Sequence, residues 1–308
     1  MEIALQFVLL ALGFVMLGKG ADWFVEGAAG IAMRFGIPQL VIGLTIVAMG
    51  TSAPEAAVSI AAAVKGNADI TIGNIVGSNI LNILVILGLA ASIVPIAVAR
   101  STVRIEIPFM IGVTALLFYQ GRDGSISLAD GGVLMVAFAA YMMYLYTMAM
   151  KSNVDSDLEE PGLPLGRCLL GAVGGLALII AGSNVTVGAA TSIATYAGLS
   201  ERFIGLTIVA LGTSLPELFT SVAAARRGNA DIAIGNIVGS NIFNILFVVG
   251  LSSLIIDIPF ASAFNFDTYV ALGAAVLLLL CVLRTQRLQR WAGALMLVCY
   301  AVYLGYIL

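Results

Sequence analysis

The sequence predicts an all-α polytopic membrane protein of ten transmembrane helices arranged as two inverted five-helix repeats, and three observations carry that prediction. The 308-residue chain is 61% hydrophobic and 10% charged, with a mean hydropathy of +1.08, a composition outside the range of soluble domains. Its apolar stretches reach the roughly 20 residues that a helix needs to cross a bilayer. A long block also occurs twice: Ile42 to Gly88 aligns with Ile204 to Gly250 without a gap, at an offset of 162 (217 − 55), with about 34 identities over 47 positions. Five helices per copy is an odd number, so the second copy enters the membrane from the opposite side.

Taken in order, the expected segments run roughly from Ile3 to Met33, Pro38 to Val64, Ile70 to Ala91, Arg104 to Gln120, Leu128 to Met150, Leu165 to Tyr196, Leu199 to Ala225, Ile232 to Leu254, Thr268 to Leu283 and Trp291 to Leu308. The first and sixth are long enough to require a tilt, a bend or an extension past the bilayer. Residues 1–150 form the first repeat and 165–308 the second. Between them, 151–164 holds Asp155, Asp157, Glu159, Glu160 and two prolines, the composition of a linker too short to fold alone. The 34 glycines point to close helix packing.

With the amino terminus outside, the loops facing the cytoplasm hold ten Lys or Arg residues, Arg34, Arg100 and Arg227 among them, while the opposite side holds Lys65, Arg122 and Arg202. That asymmetry follows the positive-inside rule and predicts a multi-pass cell-membrane protein with both termini extracellular or periplasmic. Met1-Glu2 offers no basic region ahead of the first apolar stretch, so no cleavable leader is expected. Cys168, Cys281 and Cys299 lie singly, and His is absent. Zinc, haem and thiol chemistry therefore lack their usual ligands. No basic, aromatic-interleaved patch invites nucleic acid, and no paired nucleophile and base or nucleotide loop supports an enzyme.

The chemistry concentrates in the repeated block. Gly50-Thr51-Ser52-Ala53-Pro54-Glu55 recurs as Gly212-Thr213-Ser214-Leu215-Pro216-Glu217, each inside an apolar run. A carboxylate at the centre of a membrane helix costs roughly 2.5 to 3.5 kcal/mol on insertion scales and is tolerated where it meets an ion path or a partner. Pro54 has no N–H for the carbonyl of Gly50, so the second helix should kink or unwind there, with Thr51 and Ser52 one turn from Glu55. The partner helix carries Gly73-Asn74-Ile75-Val76-Gly77-Ser78-Asn79-Ile80-Leu81-Asn82, repeated from Gly235 to Asn244 with one change. Ser78 and Asn82 share a face, as do Ser240 and Asn244, and both GxxxG spacings permit close helix approach. Two carboxylates, hydroxyls, amide oxygens and freed carbonyls form an all-oxygen set, which suits hard cations such as Ca²⁺. Packing is the plain alternative for Ser78 and Ser240, and interhelical hydrogen bonding for Asn82 and Asn244. Asn67, Asp69, Asn229 and Asp231 read as helix caps. Asp22, whose counterpart is Asn184, lies in a long apolar segment and reads as a cavity-lining candidate, with Lys19 either snorkelling or pairing with it.

These paired motifs, GTSxPE and GNIVGSNIxNIL, resemble the two alpha-repeats of the cation/Ca²⁺ exchanger superfamily, specifically its Na⁺/Ca²⁺ exchanger branch. The resemblance covers the ten-helix plan. It implies Ca²⁺ transport in exchange for Na⁺ by alternating access, with the long first and sixth helices sliding as a gate. Glu55 and Glu217 would be ligands shared by both ions. Thr51, Thr213, Ser52, Ser214, Ser78 and Ser240 would supply side-chain or backbone oxygens, and Ala48 and Ala210 carbonyls. Asn82 and Asn244 complete the candidate set. Members often carry an aspartate where this chain has Asn244, which lowers the charge of the site and argues against the K⁺-dependent subgroup. A H⁺-coupled cation antiporter is the alternative, with a cation channel behind it. The resemblance implies Ca²⁺ and Na⁺ as substrates within a lipid bilayer, no resident cofactor and no obligate protein partner.

Overall fold

The computed structural model describes residues 2–151, 163–198 and 210–307, so most of the expected linker and residues 199–209 fall outside it. Helix α1 (Glu2–Arg34) ends where Gly36 takes a positive φ of 62°. The second span comes in pieces: a short helix Gln39–Ile42, a π-helical stretch Gly43–Val47, one turn Ala48–Thr51, and then α2 (Ala53–Val64). Its axis bends by 51° at the break, which is the expected effect of Pro54 on the turn before it. Helix α3 (Asp69–Leu81) runs through a π-helical stretch Asn82–Leu87 into a short helix Gly88–Ile93. A further π-helical stretch, Thr102–Glu106, leads into α4 (Ile107–Gln120), followed by α5 (Leu128–Lys151).

The second half repeats the plan. Helix α6 (Leu165–Tyr196) is the counterpart of α1, and the turn Ala210–Thr213 leads into α7 (Leu215–Arg226). Helix α8 (Ala230–Phe243) continues through the π-helical stretch Asn244–Val249 into Gly250–Ile255. Helices α9 (Phe264–Val282) and α10 (Arg290–Ile307) close the chain. Among the described residues eight helices are long and apolar enough to cross a membrane, or nine when the bent pair in the second span counts as one. The expected seventh segment, Leu199 to Ala225, lies partly outside the described residues.

The all-α expectation needs one correction. Four two-residue strands join the ends of helices: β1 (Ile96–Ala97), β2 (Ser125–Ile126), β3 (Ile258–Pro259) and β4 (Arg287–Leu288). β1 pairs antiparallel with β4, Ile96 opposite Leu288, and β2 with β3, Ile126 opposite Ile258. Extended chain between helices carries free N–H and C=O groups, and these loops satisfy them across the two halves.

Helix α8 lies at the centre, with Ile232, Ile237, Val238 and Ile242 fully buried. Its GxxxG pair achieves the expected close approach: a Cβ on Gly239 would lie 2.7 Å from the carbonyl oxygen of Leu44, in the π-helical stretch of the second span. In the first-half pair, a Cβ on Gly73 would lie 3.3 Å from the Phe264 ring, and nothing among the described residues lies within 4 Å of one on Gly77. Helices α1 and α6 form an antiparallel layer along one side, joined where Gly13, Gly20 and Gly27 meet Gly182, Gly175 and Gly171. A Cβ on Gly20 would sit 2.9 Å from the carbonyl oxygen of Gly175. The outer face of this layer exposes Phe7, Val8, Leu170 and Val173, as lipid contact requires.

Candidate cation-binding site

The site grows out of two helix breaks. Ser52 and Ser214 hold ψ angles of 5° and 3°, in the sparsely used bridge region between helix and strand. Each break opens a new helix, α2 or α7, with proline at its start and the motif glutamate in its first turn. The unpaired N–H groups of a helix start favour negative charge there. Glu55 is 1% exposed and Glu217 is 0%.

The two breaks are laced to one another. Ser52 Oγ donates to Glu217 Oε1 at 2.8 Å, and Ser214 Oγ donates to Glu55 Oε1 at 3.4 Å, so each half's serine serves the other half's carboxylate. Each glutamate keeps its second oxygen, Oε2, buried without a hydrogen-bond partner among the described residues.

A seam of four asparagines lies beside them. Asn79 Nδ2 donates to the carbonyl of Asn241 at 3.2 Å, and Asn241 Nδ2 donates to the carbonyl of Asn79 at 3.1 Å. Asn82 Nδ2 reaches Asn241 Oδ1 at 2.9 Å, and Asn244 Nδ2 reaches Asn79 Oδ1 at 3.1 Å. The amide nitrogens of Asn82 and Asn244 are thereby engaged, while their Oδ1 atoms, like the two Oε2 atoms, are buried without a partner. Symmetry thus yields four orphaned oxygens, two acidic and two neutral.

The remaining predicted residues fall as follows. Thr51 Oγ1 lies 3.0 Å from Asn236 Oδ1, and Thr213 closes the turn Ala210–Thr213 in the matching position. Ser78 and Ser240 are buried. Ser240 Oγ donates to the Ala48 carbonyl at 3.3 Å, which also accepts the Ser52 N–H at 3.0 Å. Ala210 opens its turn, and its side chain lies outside the described residues.

Several residues carry more than their sequence reading assigned. Asn74 Nδ2 donates to the backbone carbonyl of Glu55 at 3.3 Å and to Ser59 Oγ at 2.9 Å. Asn236 repeats this at the Glu217 carbonyl, 3.4 Å, and Ser221 Oγ, 2.9 Å. These pairs fix each broken helix to its neighbour. Their signal was available, because Asn74, Asn79, Ser59 and their counterparts are identical in the two copies. Two expectations are corrected. Asn229 stands at the helix start by its backbone, but no side chain caps α3 or α8, since backbone carbonyls of Asn67 and Asn229 accept the first N–H groups. Asp22 pairs with Arg227 at 3.1 Å and not with Lys19, and Glu26 meets the same guanidinium at 3.3 Å.

Among the described residues no group of three or more His, Cys, Asp or Glu gathers as a conventional metal cluster. What the breaks bring together is a pair of carboxylates with neutral oxygens, a donor set of the kind that suits a hard cation. A duplicated bundle of apolar spans with such a set at paired helix breaks defines a secondary cation transporter.

Comparison with known proteins is specific. The profile of the family described as sodium/calcium exchanger protein matches residues 5–147 and 168–308. The chain belongs to this family, which makes it a membrane antiporter of the cation/Ca²⁺ exchange class. It is 38% identical to inner membrane protein YrbG of Escherichia coli, over 96% of this chain and 95% of that one. It is 33% identical to the sodium/calcium exchanger MaX1 of Methanosarcina acetivorans, over 98% of both. The solved structure of the sodium-calcium exchanger NCX_Mj soaked with Na⁺ and Sr²⁺ superposes with a TM-score of 0.86 at 34% identity, covering 98% of this chain and 99% of that one.

Proposed function

We propose that this chain exchanges Na⁺ for Ca²⁺ by alternating access at one midplane site shared by the two ions. The observation that carries the reading is the symmetric set of orphaned oxygens, Glu55 Oε2, Glu217 Oε2, Asn82 Oδ1 and Asn244 Oδ1. Buried acceptors left unpaired are costly, and a cation between them removes that cost. Glu55 and Glu217 supply the charge. Thr51, Thr213, Ser52, Ser214, Ser78 and Ser240 adjust as hydroxyl or backbone donors of oxygen. Ala48 and Ala210 contribute carbonyls, Ala48 after Ser240 turns away. With the neutral Asn244 in place of an acid, two carboxylates balance one Ca²⁺, or two Na⁺ ions.

Ten spans find support in the strand pairs, while the proposed orientation, termini outside, rests on the charge asymmetry of the loops. β1 follows the third span and β4 follows α9, and strands that pair must lie on one side of the membrane. An even number of crossings separates them only when the segment ending in α7 also spans. Competition between Na⁺ and Ca²⁺ for the same oxygens then couples their fluxes, and an empty charged site blocks the transition that the α1 and α6 layer gates. The test is Ca²⁺ uptake into proteoliposomes loaded with Na⁺, with K⁺ or a pH gradient as alternative drives. Uptake that requires internal Na⁺ and ignores both alternatives supports the reading. Uptake driven by the proton gradient reassigns the coupling ion, and flux without a counter-ion makes the protein a channel.

A further inference from the structure

Glu106 is a third buried carboxylate, outside the repeated motifs and apart from the proposed exchange site. It ends the π-helical stretch Thr102–Glu106 and is 0% exposed. Tyr144 of α5 donates its hydroxyl to Glu106 Oε1. Three oxygens around this pair are buried without a hydrogen-bond partner among the described residues: Glu106 Oε2, Thr102 Oγ1 and Tyr141 Oη. Thr102 precedes Glu106 by about one helical turn, and Tyr141 shares a pocket with it.

That pocket has a volume of about 160 Å³ and is lined by Ile105, Glu106, Phe109, Ala140, Tyr141 and Tyr144. One wall is aromatic: Phe109 stacks on Tyr141 with ring centroids 5.2 Å apart, and Tyr141 on Tyr144 at 6.4 Å. Two of the lining residues, Ile105 and Ala140, are exposed, while Glu106 and Tyr141 are buried. Glu106 lies four residues inside the span Thr102–Asp123, roughly 6 Å along a helix. That depth corresponds to the boundary between hydrocarbon and headgroups.

We propose that this pocket binds the primary ammonium of an aminophospholipid headgroup. An ammonium offers three N–H donors, and two unpartnered oxygens, Glu106 Oε2 and Tyr141 Oη, stand on residues that line the pocket. The carboxylate supplies a charge-assisted hydrogen bond and the tyrosine faces a cation–π contact. A quaternary ammonium has no N–H and leaves the oxygens unpaired. A bare Ca²⁺ needs six to eight oxygens, which a pocket with one carboxylate and aromatic walls does not supply. The lipid is the favoured source because two lining residues, Ile105 and Ala140, are exposed apolar residues on helices long and apolar enough to cross a membrane.

The experiment is native mass spectrometry of the purified, full-length protein titrated with phosphatidylethanolamine or phosphatidylcholine of identical acyl chains. The wild type is expected to hold one phosphatidylethanolamine at least about tenfold more tightly than phosphatidylcholine, the weight of one charge-assisted hydrogen bond. Glu106→Gln keeps an acceptor for Tyr144 yet should lose that preference, and Tyr141→Phe, which keeps the ring, should reduce it. Equal binding of the two lipids by the wild type overturns the proposal, as does an unchanged preference in both variants. Displacement of the lipid by free ethanolamine makes the ligand a soluble amine, and displacement by Na⁺ or Ca²⁺ makes the pocket a metal site. Either result overturns the lipid assignment.

Discussion

Helices α1 and α8 have the same mean hydropathy over their most apolar windows, yet 17% of the α1 window is buried against 94% for the span that α8 opens. The two are fastened by different physics. Around α8 the contacts are polar and reciprocal: the four-asparagine seam and the serine–glutamate pairs tie the halves together with directional bonds. Between α1 and α6 the contact is a glycine seam in which backbones approach closely, with no hydrogen bond across it among the described residues. Among the described residues the polar links from this layer to the core are Ser183 Oγ to the Gly212 carbonyl, at 2.7 Å, and Arg227 to Asp22 and Glu26. Directional bonds hold one arrangement, whereas a smooth seam permits several of similar energy. Under the proposed mechanism this difference separates the body that would hold the ion from the layer that would move over it.

The largest effect tests the core. Glu55→Gln and Glu217→Gln should each lower Ca²⁺ uptake by about a hundredfold or more, since removing one partner from a buried charge interaction costs about 3–5 kcal/mol. Retained exchange in either variant would remove the shared site. Next comes the seam: Asn79→Ala strips partners from both Asn241 and Asn244 and should cost roughly 1–3 kcal/mol, read as a lower thermal midpoint in detergent. Adding Asn241→Ala should cost less than a second full increment, because both changes break one network. The moving layer answers differently. Gly20→Val should disrupt α1–α6 packing at a cost of about 1–3 kcal/mol and slow exchange while leaving Ca²⁺ affinity unchanged. Gly18→Ala should be silent, because nothing among the described residues lies within 4 Å of a Cβ there. If both glycine variants behave alike, the seam is not what guides the layer. Beyond the silent control, the smallest effect belongs to Arg227→Ala, since its ion pairs are more than a third exposed and such pairs contribute about 0–1 kcal/mol, less as salt rises. A change in uptake beyond a few-fold would mean that this link restrains the layer.

Much of the site was legible because duplication prints it twice. Pro54 and Pro216 mark the broken helices by removing a donor, and the buried Glu55 and Glu217 stand out against their apolar surroundings. The π-helical stretches were not legible: one extra residue per turn after Leu81 and Phe243 leaves no trace in apolar periodicity when every face is buried. The asparagine seam was half legible. Asn82 and Asn244 were singled out by spacing, but Asn79 and Asn241 gain their role from residues 162 positions away. The ion pair of Asp22 escaped for the same reason. Lys19 is its near neighbour along the helix, while Arg227 reaches it only once α7 has packed against α1.

The asparagine seam also sets a condition on biosynthesis. Asn79 and Asn82 enter the membrane with the first half, and the amides they bond belong to the second. At ribosomal speed the 162 intervening residues take on the order of ten seconds to appear, during which the first half carries polar side chains with no permanent partner. The nascent chain must therefore be sheltered by the insertion machinery or by its own temporary contacts. Halves expressed as separate polypeptides should find each other in the bilayer, because each holds the missing half of the other's hydrogen bonds.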